Sequence, residues 1–367
     1  MKITKDVVAG IIGQEVDRYL GMDLRSAGCV KAIEIDDVQK KISVQIVLGF
    51  YAKAHSEMIQ TTLSTLISQE TGYSATVTVE SKVVAHKVQG QLHAMANVKN
   101  IIAVASGKGG VGKSTTAVNL ALALQQEGAS VGILDADIYG PSLPTMLNTH
   151  EKPVSLDGKS MEPIMAQGLQ SNSIGYLIAQ ADAAIWRAPM AVSALTQMLK
   201  ETAWKALDYL IIDMPPGTGD IQLTLAQQIP VAGSVIITTP QDIALLDARK
   251  GINMFEKVGV PILGIIENMS FHICSQCGHE EAIFGTLGGD HLAKEANVAL
   301  LGQMPLDISI RQEADRGAPT VTAGGPLADR YREMAIKMSA ILSLRERDRM
   351  AGFPKVVVQQ SQGKELK

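Results

Sequence analysis

The run 107-GKGGVGKST-115 constrains the fold of this chain more than any other segment. It fits the pattern G-x-x-x-x-G-K-[ST] and stands between an aliphatic stretch, 101-IIAVAS-106, and a segment of helical spacing, 114-STTAVNLALALQQEG-128. Glycines there let backbone N–H groups curl around phosphate oxygens, and the following helix turns its positive end toward the same anion. Gly107, Gly109, Gly110, Val111, Gly112 and Thr115 thus form a phosphate cradle. Lys113 is spaced to reach the β- and γ-phosphates of ATP, and Ser114 to ligate Mg²⁺. Such a loop belongs at the carboxyl end of a parallel sheet.

The rest of the chain agrees with that frame. Past residue 99, aliphatic strand, Gly- or Asp-containing turn and helix recur, with strands expected at 131–136, 208–214, 234–239, 262–268 and 300–304. Helices fit 190–201 and 327–343. Aromatic residues make up only 4% of the chain, and the strands read as unbroken aliphatic runs, as buried parallel strands do. The expected fold class is α/β: a doubly wound, mostly parallel sheet forming a P-loop NTPase domain at 99–345. A small α+β domain at 1–82 precedes it, with strands near 30–35, 42–50 and 75–80 and a helix at 55–70. Residues 83–98 read as a linker and 346–367 as a tail, including the short apolar run 354-PKVVV-358.

Two acidic strand ends complete the nucleotide site. Asp135 and Asp137, in 134-LDADIYGPSLP-144, are candidates for orienting the attacking water. Asp213, in 211-IIDMPPGTGDIQLTL-225, is a candidate for the Mg²⁺ side, and the glycines and prolines after it predict a loop that moves with nucleotide state. Lys108 inside the loop gives the KGGxGKST variant, which resembles the deviant Walker A ATPases: nitrogenase iron protein and the cell-division and plasmid-partition ATPases. The resemblance implies that Lys108 reaches the phosphates of a second subunit in a homodimer, where it would act as an arginine finger does. It also implies that Asn268 contacts the adenine.

Cys274 and Cys277 stand in C-x₂-C spacing within 271-FHICSQCGHEE-281, just past an expected strand. Soft thiolates at this spacing suit an iron–sulfur cluster, Zn²⁺ or a redox pair. His272 and His279 complete a local zinc site, or a two-fold axis brings two pairs around one [4Fe–4S] cluster. The four segments KGGVGKST, LDADIYGPSLP, IIDMPPGTGDIQLTL and 267-ENMSFHICSQCGHEEAIFG-285 occur in this order and closely resemble the ApbC/Mrp/Nbp35 family of iron–sulfur cluster carriers. That resemblance covers roughly residues 97–345. It implies a cluster bridging two subunits on Cys274 and Cys277, ATP hydrolysis, and transfer to apo iron–sulfur proteins, with cluster-assembly scaffold proteins as further partners.

The N-terminal unit is similar to a MIP18-like domain in its hairpin, VKAIEID followed by ISVQIVL. It lacks that domain's acidic-proline signature and cysteine–proline turn, so residues 1–82 read as a partner-binding or scaffold module, and Cys29 as a packed residue. A net charge of −4 provides no general attraction for nucleic acid or anionic membrane, and neither is expected as a partner. The competing class, a positioning ATPase, needs a basic amphipathic helix; the nearest candidate, 342–353, mixes acids with bases. The opening residues have no signal-peptide core, and three cysteines do not make a disulfide framework, so a cytoplasmic location is expected.

Overall fold

The computed structural model describes residues 3–90, 92–177 and 188–348. The expectations for the tail beyond 348, the run 354–358 among them, lie outside the described residues. In chain order the helices are α1 (Lys5–Ile12), α2 (Lys53–Thr71), α3 (Lys113–Glu127), α4 (Leu143–Met146), α5 (Ile174–Leu177), α6 (Ala188–Glu201), α7 (Asp220–Gln228), α8 (Asp242–Lys257), α9 (Gly288–Glu295), α10 (Ile308–Asp315), α11 (Thr320–Ala323) and α12 (Pro326–Ser343). The strands are β1 (Val30–Asp36), β2 (Lys41–Leu48), β3 (Ser74–Ser81), β4 (Val98–Ser106), β5 (Val131–Asp135), β6 (Ile164–Ala166), β7 (Leu169–Ser173), β8 (Leu207–Asp213), β9 (Gly233–Thr238), β10 (Ile262–Glu267), β11 (His272–Ile273), β12 (Glu280–Glu281) and β13 (Leu300–Gln303).

The aliphatic runs, joined by β6 and the polar β7, build one eight-stranded sheet of order β13-β10-β9-β4-β8-β5-β7-β6. Its strands are parallel except β6, which pairs antiparallel with β7. The expected doubly wound architecture is therefore present. Burial on both faces explains the continuous apolar sequence, since β5, β8 and β9 are buried at every position. Residues of α3, α10 and α12 form the core on one face, and those of α6, α7, α8 and α9 form the core on the other. β4 lies between β9 and β8 at the middle of the sheet, so its carboxyl end opens where successive connections leave in opposite directions.

Helix α3 starts directly after Gly112, whose φ of 83° is left-handed, and ends at Gly128, which caps the Leu124 and Gln125 carbonyls. It is buried on nearly every side because α12 lies across it.

The N-terminal unit is a three-stranded sheet, β1-β2-β3, with β1 antiparallel and β3 parallel to β2. Helix α2 makes the crossover between the parallel pair. Cys29 is buried in its core, with the thiol 3.9 Å from the Ala27 carbonyl and its pKa raised by burial. The unit docks on the nucleotide-binding layer through Ile336 and Ala340 of α12, which join its core, and through polar contacts. Arg18 and Tyr19 meet Glu333 of α12 at 2.5 and 3.0 Å, and the Lys53 amide donates to Glu127 of α3 at 2.7 Å.

The described residues between 83 and 97 form no helix or strand, yet they are packed down. Val83 and Val88 belong to the main core. The buried Gln89 carboxamide donates to the Ala226 and Ile229 carbonyls at 2.7 and 2.6 Å and accepts from the Val231 amide at 3.0 Å.

Candidate functional site

Residues 107–112 arch from the end of β4 to the start of α3. Gly107 has no room for a side chain, because a Cβ there would collide with the Asp247 carbonyl of α8. Gly110 and Gly112 hold φ of 79° and 83°, the left-handed region that turns successive amides inward. The Ser106 hydroxyl donates to the Lys108 carbonyl at 2.8 Å and fixes the entry of the arch.

The Lys113 ammonium is buried and paired with the Asp213 carboxylate, and it lies 3.3 Å from the Ser114 hydroxyl. Burial raises the Asp213 pKa above the ordinary carboxylate range, against the downward pull of Lys113. Lysine, hydroxyl and strand-end carboxylate thus converge at the mouth of the cradle; the hydroxyl and carboxylate oxygens fit Mg²⁺, and the ammonium fits the phosphate beside it.

The two candidates at the end of β5 are separated by their surroundings. Asp135 is fully buried and accepts from the Asp137, Ser142 and Leu143 amides at 3.1, 3.1 and 3.2 Å, and from the Ser173 hydroxyl at 3.0 Å. Burial, then the charge of Asp213, raise its pKa, while those amides oppose the shift. Its oxygens are engaged in holding loop 137–143. Asp137 lines the open cleft instead.

That cleft, about 1280 Å³, runs from Lys108 and Thr115 past Pro216 of the 213–220 loop to Asn268, Leu306 and Arg311. Asn268 lines it, but its carboxamide is committed: Nδ2 donates to the Val111 carbonyl at 2.9 Å and Oδ1 accepts from the Met269 amide at 3.0 Å. In this geometry Asn268 braces the phosphate loop.

The cysteines sit on an exposed finger that borders the same cleft, which Ile273, Ser275 and Ile283 also line. Strands β11 and β12 pair antiparallel, the Cys274 amide donates to the His279 carbonyl at 2.9 Å, and Gly278 (φ 71°) closes the turn. Backbone amides of Gln276 and Cys277 lower the Cys274 thiol pKa, which favours the metal-binding thiolate. Cys274 is half-exposed and Cys277 exposed. Among the described residues no group of three or more His, Cys, Asp or Glu converges as a metal site. His272 and His279 therefore do not complete a local zinc site with the two thiols; His272 Nδ1 lies 3.4 Å from the Leu306 carbonyl. The finger of one chain presents two thiols.

Glu267 escaped the sequence reading, although an acid ending the aliphatic strand ILGIIE is itself a signal of a buried, satisfied carboxylate. Gln89 carried no comparable sign.

Sheet order, loop conformation and the lysine–aspartate pair define the class: a P-loop NTPase. A model of the NUBPL iron-transfer P-loop NTPases matches residues 97–339, and this chain belongs to that family. It is similar to an iron-sulfur cluster carrier protein of Salmonella typhimurium, 65% identical over 248 residues and 67% of each chain. It is also similar to the iron-sulfur cluster transfer protein NUBPL of Mus musculus, 50% identical over 226 residues, 61% of this chain and 71% of that one. Among solved structures, a nucleotide-binding protein from Archaeoglobus fulgidus, in complex with ADP and with Co, aligns at a TM-score of 0.56 and 35% identity. That alignment covers 64% of this chain and 91% of the other. Among the described residues no helix is long and apolar enough to cross a membrane.

Proposed function

We propose that this chain is an ATP-hydrolysing iron–sulfur cluster carrier. It acts as a homodimer, holding a [4Fe–4S] cluster between the Cys274 and Cys277 pairs of two subunits and passing it to apo iron–sulfur proteins. The observation that carries this reading is the finger itself: two accessible thiols, with no third ligand among the described residues, stand on an excursion whose Ile273, Ser275 and Ile283 line the nucleotide cleft. Two such pairs make the four-thiolate set of a cubane cluster, and a two-fold axis brings them together.

The cradle amides from Gly107 to Thr115 bind the phosphates of ATP. Lys113 exchanges the Asp213 carboxylate for the β- and γ-phosphates, which frees Asp213 to turn toward the metal. Ser114 and Asp213 would hold Mg²⁺, which neutralises phosphate charge when bound. Asp137, the carboxylate open to the cleft, orients the attacking water, and Asp135 keeps its loop in shape. Lys108 reaches across to the second subunit's phosphates, so hydrolysis requires the dimer. The 213–220 loop is tied to the phosphate loop by the Gly217 amide, which donates to the Ser106 carbonyl at 3.0 Å, and it responds to the exchange at Lys113.

Transfer is ligand exchange without net redox change. Acceptor thiolates replace Cys274 and Cys277 on iron, and the protons that the incoming thiols lose pass to the departing ones. Scaffold proteins supply the cluster. Residues 1–82 serve as a docking module. Exposed thiols of this kind belong in a reducing cytoplasm, and neither membrane nor nucleic acid is a partner.

Iron, acid-labile sulfide and zinc are measured per chain after anaerobic reconstitution, in wild type and in Cys274→Ala/Cys277→Ala. About four irons and four sulfides per two chains, absent from the variant, are expected. Tightly held zinc that no cluster displaces overturns the reading.

A further inference from the structure

The excursion bearing the cysteines, residues 271–287, leaves the sheet after β10 and rejoins the fold at α9. One side chain holds both of its ends. Glu267, the last residue of β10, is 1% exposed. Its Oε1 accepts from the Ser270 hydroxyl and the Gln303 amide group, each at 2.7 Å, and its Oε2 accepts from the Gly289 amide. The Ser270 hydroxyl also lies 3.0 Å from the Glu267 carbonyl oxygen. Ser270 is the last residue before the excursion and Gly289 lies in the first turn of α9, so one buried carboxylate clasps entry and exit. Gly289 admits no larger residue, since a Cβ there would sit 2.8 Å from Oε2. Donors to a buried carboxylate form strong, charge-assisted bonds.

The adjoining residue faces the other way. Asn268 braces the Val111 carbonyl of the phosphate loop and sits against Gly112. A rigid peptide unit therefore joins the group that holds the nucleotide loop to the group that holds the finger. Residues 275–287 are exposed throughout, so little beyond the root sets the finger's attitude. The root has further ties on the cleft side: the Leu306 amide donates to the Phe271 carbonyl at 2.7 Å, the Ser270 amide donates to the Met304 carbonyl at 2.9 Å, His272 Nδ1 lies 3.4 Å from the Leu306 carbonyl, and the Arg330 guanidinium lies 5.3 Å from the centroid of the Phe271 ring.

We infer that Glu267 is a positioning residue through which nucleotide in the phosphate loop sets the orientation of the two thiols. Asn268 follows the loop, and Glu267 carries both ends of the finger with it. The inference rests on the reading that MgATP fills the cleft and a cluster is held at the thiols. It assigns the coupling to one carboxylate.

The test measures alkylation rates of Cys274 and Cys277 in the reduced full-length chain, with and without the magnesium complex of a non-hydrolysable ATP analogue. Wild type, Glu267→Gln and Ser270→Ala are compared. Analogue affinity is measured for each, and cluster uptake is measured in parallel. In wild type the two rates differ by about tenfold and by at most about 150-fold, the range that one charge-assisted hydrogen bond supplies. In Glu267→Gln, where an NH₂ group must face one of the donors, the analogue still binds but the rate ratio falls to one. Ser270→Ala cuts one arm only and gives an intermediate ratio; it carries the test alone if Glu267→Gln does not fold. A wild-type ratio of one, or an unchanged ratio in the variants, overturns the inference. A chain that takes up no cluster yet shows the ratio, and loses it in Glu267→Gln, supports the clamp and counts against the carrier reading alone.

Discussion

Replacing Gln89 by leucine removes a side chain that ties segment 83–97 to the end of α7. Three buried groups lose a hydrogen bond: the Ala226 and Ile229 carbonyls and the Val231 amide. The Val231 amide also donates to the Ile229 carbonyl at 2.9 Å, so these two keep a partner in each other and the Ala226 carbonyl is the group orphaned. Orphaning it costs about 1 to 3 kcal/mol, and each of the other two lost bonds about 0.5 kcal/mol or more, about 2 kcal/mol at the lower figures. The extra apolar surface of leucine returns about 1 kcal/mol, and the expected loss of stability is about 1 kcal/mol or more. Urea unfolding followed by circular dichroism measures it. Lys87→Ala is the control from the same segment: its partner Glu346 is largely exposed, so a change within about 0.5 kcal/mol is expected. In Gln89→Glu a carboxylate faces two carbonyl oxygens, which raises its pKa. That variant is therefore destabilised at neutral pH and recovers as pH falls through the raised value. A Gln89→Leu shift no larger than that of Lys87→Ala, at unchanged denaturant slope, would refute the assignment of Gln89 as a structural tie.

Gly112→Ala forces a left-handed residue to carry a Cβ that strikes the Asn268 carboxamide; strain of about 1 to 2 kcal/mol should weaken ATP binding about tenfold, and calorimetric titration showing wild-type affinity contradicts this. Asp137→Ala should abolish ATP hydrolysis at an unchanged melting temperature. Asp135→Asn should lower stability by about 1 to 3 kcal/mol, because its amide NH₂ must face one of the four donors; the reverse pattern in paired hydrolysis and melting assays sinks the division of roles. Burial by itself would raise the Asp17 pKa, yet the His55 hydrogen bond and the Leu20 amide outweigh it and leave the group below its ordinary value. Such a carboxylate contributes stability that is present above its unfolded pKa and lost as pH falls through the folded one. Urea midpoints of wild type should thus drop below about pH 4 more steeply than those of Asp17→Asn, and parallel curves would rule this out.

What was legible in the sequence was local. The phosphate loop is read from nine adjacent residues because its chemistry depends on their spacing, and the parallel strands are read because burial on both faces requires an unbroken aliphatic run. Strand β7, LQSNS, is equally buried but polar. Its side chains are satisfied by Ile164, Asp135, Thr202 and Lys205, distant partners that no window displays. Asp135 and Asp137 look alike in LDAD, and only the return of loop 137–143 onto the first separates their roles. The cysteine pair was visible, whereas the failure of the nearby histidines to join it depends on where the finger points them. Asn268 was expected at the adenine and is engaged with the loop backbone, a contact made across 157 residues.

Helix α12 has a consequence for the order in which the molecule is made. Ile336 and Ala340 belong to the core of the N-terminal unit, while Tyr331, Met334 and Met338 belong to the core of the nucleotide-binding layer. A ribosome releases the first unit long before the helix that finishes it, and the Arg18–Glu333 pair closes over 315 residues. Until α12 emerges, the early unit waits with part of its apolar surface open to water, a form that invites chaperone capture. Its final docking therefore reports that translation has passed residue 340.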